Sequence, residues 1–264
     1  GEFAFPLLPV RGKITTSTAK GAVTDSAAAG TALASGYKTE NGILNMDPSG
    51  AKRFVTVAMA ARDRGMRVGI VTSSFMNDST PAAFYAFTPS RLNLYEIGEQ
   101  LADSGFNYFG GGGLSRRKGK NGDQKDLYEI AAAGGYKVLR TSKDILSASP
   151  GNKILASGSA GPLPYEIDRP GGAPSLADYT GIGIKRLDNP KGFFMMVEGG
   201  LIDWACHRSD TAAMVRDVAA FDDAVKEALA FARARPGDTL IVITADHETG
   251  GMSPGSALTG ERLF

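Results

Sequence analysis

One cysteine, one tryptophan and two histidines are all that 264 residues contain. The single Cys206 excludes an internal disulfide but leaves the cellular compartment open. Neither sign of charge is in excess: 29 Lys and Arg against 28 Asp and Glu give a net charge of +1. That balance argues against a dedicated nucleic-acid surface. Long hydrophobic runs are missing too; none approaches the roughly 18–20 residues that a membrane-spanning helix needs. No segment has the layout of a signal peptide, and the chain opens on Gly1 rather than Met, as expected of a processed protein or a piece of a longer one. Glycine is plentiful instead, with 34 residues, which predicts tight loops and close backbone approaches. An apolar content of 42% over this length is that of an ordinary globular chain with one large domain.

Short apolar runs alternate with amphipathic segments. "MRVGIVTS" (66–73), "GFFMMVEGG" (192–200) and "DTLIVITAD" (238–246) read as buried strands, and "YKVLR" (136–140) and "NKILA" (152–156) as weaker ones. Helices are predicted over about 26–35, 50–64, 89–103 and 210–234, the last with Asp210 as its N-cap. The β-α-β alternation predicts a mostly parallel sheet with helices on both faces. The Gly/Ser/Pro-rich stretches 110–123 and 157–175 border what reads as an irregular insert at about 105–175.

In such a sheet ligands bind beyond the carboxyl ends of the strands. After the first strand come Asp78, Thr80 and Arg91; after the second, Glu198, Asp203 and His207; after the third, Asp246 and His247. Both histidines of the chain are in this set. Asp203 and His207 are spaced i, i+4, on one face of a helical turn. Mixed imidazole and carboxylate ligands suit zinc, whereas Glu198 and Thr80 offer only oxygen, which suits magnesium. A metal can activate a hydroxyl without a histidine base. Ser26, in "VTDSAAAGTALASGYKT", precedes an Ala-rich run and is expected at a helix N-terminus, where an anion is favoured. Arg91 suits a two-pronged grip on phosphate.

Four blocks together resemble the alkaline phosphatase family: "VTDSAAAGTA", "NDSTPAAFYAFTPSR", "FFMMVEGGLIDWACH" and "TADHETGG". The resemblance runs through most of the chain. It implies a three-layer α/β sandwich, incomplete at both ends, and a metal-dependent phosphomonoesterase with Ser26 as the phosphorylated nucleophile. It implies that Asp203 and His207 hold one zinc and Asp246 and His247 a second. Thr80 and Glu198 would hold one magnesium, with Asp78 nearby through water, and Arg91 the phosphate. Family members are typically periplasmic or extracellular and often dimeric, so a homodimer is a further expectation. Two departures stand out. The family carries an Asp-Gly metal motif before the serine segment, and no Asp precedes Val23 here; the family also has a further zinc-ligand histidine near its C-terminus, and none follows His247. The chain therefore reads as an internal portion of the family's domain, weak or inactive by itself.

Each block alone has a plainer reading. Ser26 could be a helix cap, Arg91 a solvated helix residue, and Cys206 a buried structural thiol. "RRKGK" (116–120) reads as a solvated loop, and "FGGGG" (109–113) lacks the Lys-Ser/Thr ending of a phosphate-binding loop. Competing functions are a metal-dependent phosphodiesterase, sulfatase or phosphomutase, a serine esterase, and a non-catalytic metal- or phosphate-binding module. No G-x-S-x-G elbow surrounds Ser26, which weighs against the esterase.

Overall fold

Five short strands, apolar and rich in Val, Ile and Phe, pair in parallel in the computed structural model, which describes residues 3–147 and 153–252. They are β1 (Arg67–Thr72), β2 (Tyr108–Gly111), β3 (Lys137–Leu139), β4 (Ile154–Ser157) and β5 (Phe193–Glu198), in the order β3-β4-β2-β1-β5. The helices are α1 (Ser26–Ser35), α2 (Val57–Asp63), α3 (Ser79–Ala82), α4 (Leu94–Asp103), α5 (Leu127–Ala133), α6 (Ser142–Leu146), α7 (Leu176–Leu187), α8 (Gly200–His207) and α9 (Thr211–Ala234).

The period-2 alternation of the strands builds two cores. Val68, Ile70, Phe109 and Leu155 point to one face and pack with side chains from α1 to α5. Val71, Tyr108, Ile154 and Ala156 point to the other and meet α6 to α9. Helices thus cover both faces of a parallel sheet, as the alternation predicts. Tyr108 and Tyr179 are the largest fully buried side chains of the second core, and the Tyr108 hydroxyl donates to Tyr179 O at 3.0 Å. The Tyr108 ring needs glycine around it: a Cβ at Gly110 would lie 2.5 Å from its Oη, and one at Gly183 2.8 Å from its Cε1.

Three expectations are corrected. Residues 105–175 are no irregular insert; they carry β2, α5, β3, α6 and β4, three of the five strands. The glycines of "FGGGG" hide β2 because its register, Tyr108 to Gly111, is held by flanking strands on both sides. Residues 238–246 form no strand: nothing among the described residues pairs with them. Their side chains still alternate, with Leu240 and Val242 exposed and Ile241 and Ile243 half-buried. Finally, two helices start later than predicted. α2 begins at Val57, capped by the Thr56 hydroxyl, and α4 at Leu94, so Pro89 and Arg91 lie in the preceding loop.

Candidate active site

Ser26 is the first residue of α1, and the cap is its neighbour. The Asp25 carboxylate accepts from Ala28 N at 3.0 Å, and Gly36 ends the helix with φ +77°. Between them the run of Ala and Gly lets α1 press against α3: a Cβ at Gly30 would come 2.9 Å from Ala83 Cβ, just past the end of α3. The backbone of Thr80, 3.6 Å from the same point, thus packs against the helix that Ser26 begins. The Ser26 hydroxyl lies 3.0 Å from His247 Nε2.

Asp25 has a second role, which the sequence reading missed. Its Oδ2 meets Arg91 Nη1 at 3.1 Å and also accepts from Gly42 N at 3.0 Å. Arg91 is fixed further by its own N–H to Gly42 O at 2.7 Å, and its other Nη lies 3.7 Å from Asp78 Oδ1. The guanidinium is therefore held edge-on between two acids, next to the serine's helix.

Glu198 ends β5 opposite Thr72 of β1. Thr72 and Ser74 direct their hydroxyls to its Oε2, the latter at 3.3 Å. Loss of water pushes its pKa up to about 8; the Thr72 hydroxyl opposes the rise, the negative charges of Asp78 and Asp246 add to it, and the Thr80 hydroxyl again opposes it. A carboxylate that feels two other negative charges and takes hydroxyl hydrogen bonds offers only oxygen, the donor type a hard cation prefers. Thr72 and Ser74 were also missed, although the strand-exit rule points directly at them.

Asp246 Oδ2 approaches His247 Nε2 at 3.4 Å, and Asp203 Oδ2 approaches His207 Nε2 at 3.5 Å. Thr249 joins the two pairs: its hydroxyl donates to Asp203 Oδ1 at 2.6 Å and lies 3.2 Å from His247 Nδ1. The other neighbour of that Nδ1 is the Glu248 carbonyl, at 3.0 Å. His207 is exposed and His247 nearly buried. The chemistry of each pair fits zinc, but among the described residues no three of His, Cys, Asp and Glu gather around one point. Cys206 is half-exposed rather than buried; desolvation and the charges of Asp203 and Glu248 raise its pKa. Residues 253–264, which hold no histidine, lie outside the described residues.

All nine residues singled out from the sequence thus fall into one linked group at the carboxyl ends of β1 and β5. Ser26 touches His247, which reaches Asp203 through Thr249; Glu198 senses Asp78 and Asp246; Arg91 reaches Asp78. No hydrogen bond joins Arg91 to Ser26 directly. The family model that describes alkaline phosphatase matches residues 2–264. The chain belongs to the alkaline phosphatase family. It is 39% identical over 243 residues to alkaline phosphatase 4 of Bacillus subtilis, covering 89% of this chain and 51% of that one. Among solved alkaline phosphatases, the cold-active enzyme of a Shewanella species superposes with a TM-score of 0.87 at 34% identity, over 97% of this chain and 62% of that one. A histidine-to-glutamate mutant of the alkaline phosphatase from the Antarctic bacterium TAB5, described with Mg bound in its M3 site, superposes with a TM-score of 0.85 at 30% identity, over 95% and 72%. The chain spans about half the length of the Bacillus and yeast alkaline phosphatases that it matches.

Proposed function

We propose that this chain carries the nucleophile side of a phosphomonoesterase, an alkaline phosphatase that works through a phosphoserine intermediate. The observation that carries the reading is Ser26 at the N-terminus of α1, 3.0 Å from His247, with Arg91 clamped alongside by Asp25. In this reading Arg91 grips two non-bridging oxygens of the monoester. The free N–H groups of the first turn of α1 face the same charge. Ser26 Oγ attacks phosphorus as the bond to the leaving oxygen breaks; the alcohol departs with a proton, and water later cleaves the Ser26 ester to release phosphate.

The metals fit as pairs of ligands. Asp203 with His207, and Asp246 with His247, would hold zinc; Glu198 and Thr80, with Asp78 beside them, would hold magnesium. When bound, such ions supply the positive charge that lowers a hydroxyl's pKa and steadies developing oxyanions. The closeness of Ser26 to His247 also invites a serine-esterase relay. The orientation disfavours it: Asp246 faces the same Nε2 as the serine, not the Nδ1 an orienting acid must hold. An imidazole nitrogen, a carboxylate and a serine that converge on one point suit a shared cation better than a proton relay. Periplasmic or extracellular placement and a homodimer complete the reading on family grounds; among the described residues no helix is long and apolar enough to cross a membrane.

Pairs of ligands hold zinc more weakly than sets of three or four. Residues 1–264 alone are therefore proposed to bind zinc weakly and to turn over slowly. The test is to purify this chain, supply zinc and magnesium, and measure bound metal and aryl-phosphate hydrolysis at alkaline pH. Substoichiometric zinc with slow hydrolysis that Ser26→Ala abolishes supports the proposal. Two tightly held zinc ions and fast turnover would contradict the weak-pair account, and metal without any Ser26-dependent hydrolysis would favour a non-catalytic module.

A further inference from the structure

Two motifs remain outside this account, the glycine run of "FGGGG" and the basic "RRKGK" that follows it. The structure joins them. A Cβ at Gly111, whose φ is +125°, would lie 1.8 Å from Thr72 O, and one at Gly112 2.0 Å from Ser74 O. Only glycine lets this loop lie flat over the exit of β1, where Thr72 and Ser74 hold Glu198. The next residues are tied to the same place. Met76 N donates to Gly113 O at 2.9 Å, and buried Asn77 clamps Ser115 in both directions, at 2.8 and 2.9 Å. Asn77 is the neighbour of Asp78, whose Oδ1 lies 3.7 Å from Arg91, so the residue before the basic segment is tied to the turn that meets that guanidinium.

The segment itself is built to a fixed shape. Arg116 takes a left-handed φ of +51°, which costs a non-glycine residue energy, and its carbonyl accepts from Gly119 N at 2.8 Å. Arg117 is used inside the fold: it pairs with Asp126 at 2.9 Å, and its carbonyl accepts from Leu127 N at 2.9 Å. Arg116, Lys118 and Lys120 are exposed, and no ion pair among the described residues engages them. The nearest acid in sequence, Asp123, is exposed as well. Three free cations on a braced loop, in a chain whose net charge is +1, are a local concentration of charge.

We propose that Arg116, Lys118 and Lys120 form a second anion subsite, which binds a further phosphate of a condensed-phosphate substrate while its terminal phosphate occupies the Ser26–Arg91 site. The proposal rests on the phosphomonoesterase reading for its substrate role, but not for its binding role. Calorimetry with inorganic tripolyphosphate and orthophosphate separates the two. On the intact chain with zinc and magnesium, tripolyphosphate should bind more tightly than orthophosphate, with an advantage that shrinks as salt rises. Lys118→Ala/Lys120→Ala should weaken tripolyphosphate by about fivefold and leave orthophosphate unchanged. Arg116→Lys, which retains the charge but not the fork, should weaken it less. Tripolyphosphate binding without hydrolysis in the unaltered chain would sink the enzyme reading and spare the subsite. Unchanged tripolyphosphate affinity in the double lysine variant, with native circular dichroism, overturns the proposal. Equally tight binding of a single-stranded oligonucleotide would overturn it in favour of a general polyanion surface.

Discussion

Asp25 does two jobs with two oxygens, and they can be separated. Oδ1 caps α1 through Ala28 N, and Oδ2 holds Arg91. Asparagine caps about as well as aspartate but has no charge to offer a guanidinium. Asp25→Asn should therefore cost well under about 1 kcal/mol of stability and still loosen phosphate binding, read as weaker inhibition by inorganic phosphate. Arg91→Ala should weaken that inhibition by about tenfold or more, and Arg91→Lys should restore only part of it, since a point charge lacks the fork. Unchanged inhibition in both Arg91 variants would remove this residue from the site. A buried acid, Asp217 on α9, lies outside the site. Desolvation raises its pKa to about 6, the Glu166 N–H it accepts at 3.2 Å opposes the rise, and the charges of Glu166 and Asp168 add to it. The folded state thus holds a proton that the unfolded chain releases near 3.8. Its favourable contribution is complete below pH ~4 and is lost as pH rises through about 6. Asp217→Asn should then leave urea stability unaltered near pH 4 and raise it at pH 7.5, by at most about 3 kcal/mol. A gain of equal size at both pH values would contradict the assignment.

At the scale of elements, β1 and β5 were legible because their apolar runs are long and each ends in polar residues. α9 was legible from its cap, Asp210, whose side chain accepts from Ala213 N at 3.0 Å. β2 was not, since two of its four residues are glycines chosen for contact with Tyr108 and Thr72 rather than for strand propensity. α7 was passed over although Ser175 and Asp178 form a reciprocal capping box visible in the sequence. Residues 238–246 show the opposite failure. Their alternation is that of a strand, but nothing among the described residues pairs with them, and β5 keeps an open edge among those residues. Leu240 and Val242 are left 87% and 74% exposed. Two large apolar side chains left this exposed favour self-association. Leu240→Lys/Val242→Lys should shift sedimentation toward monomer at high concentration, without changing the far-ultraviolet spectrum. A double variant that associates as strongly as the parent would show that this segment is not the contact.

Across the whole molecule, the site draws on three stretches far apart in sequence: 25–26, 72–91 and 198–249. The four blocks named its principal side chains; α1, α3 and β5 with α8 carry residues of the first three, while the fourth reaches the same group with no strand or helix of its own. Thr72 and Ser74 lie at the exit of β1, where the strand-exit rule points, whereas Asp25 and Thr249 were not legible, since their roles depend on which partner the fold brings opposite them. Asp25 faces Arg91 across 66 positions, and Thr249 faces Asp203 across 46. In the proposed function this group makes Ser26 a nucleophile toward phosphorus. The direct measurement is to incubate the protein with zinc, magnesium and a labelled phosphate monoester, quench in acid, and locate the label by peptide mass spectrometry. One phosphoryl group is expected on Ser26, absent in Ser26→Ala. Label on another residue, or hydrolysis that continues undiminished in the alanine variant, would contradict it.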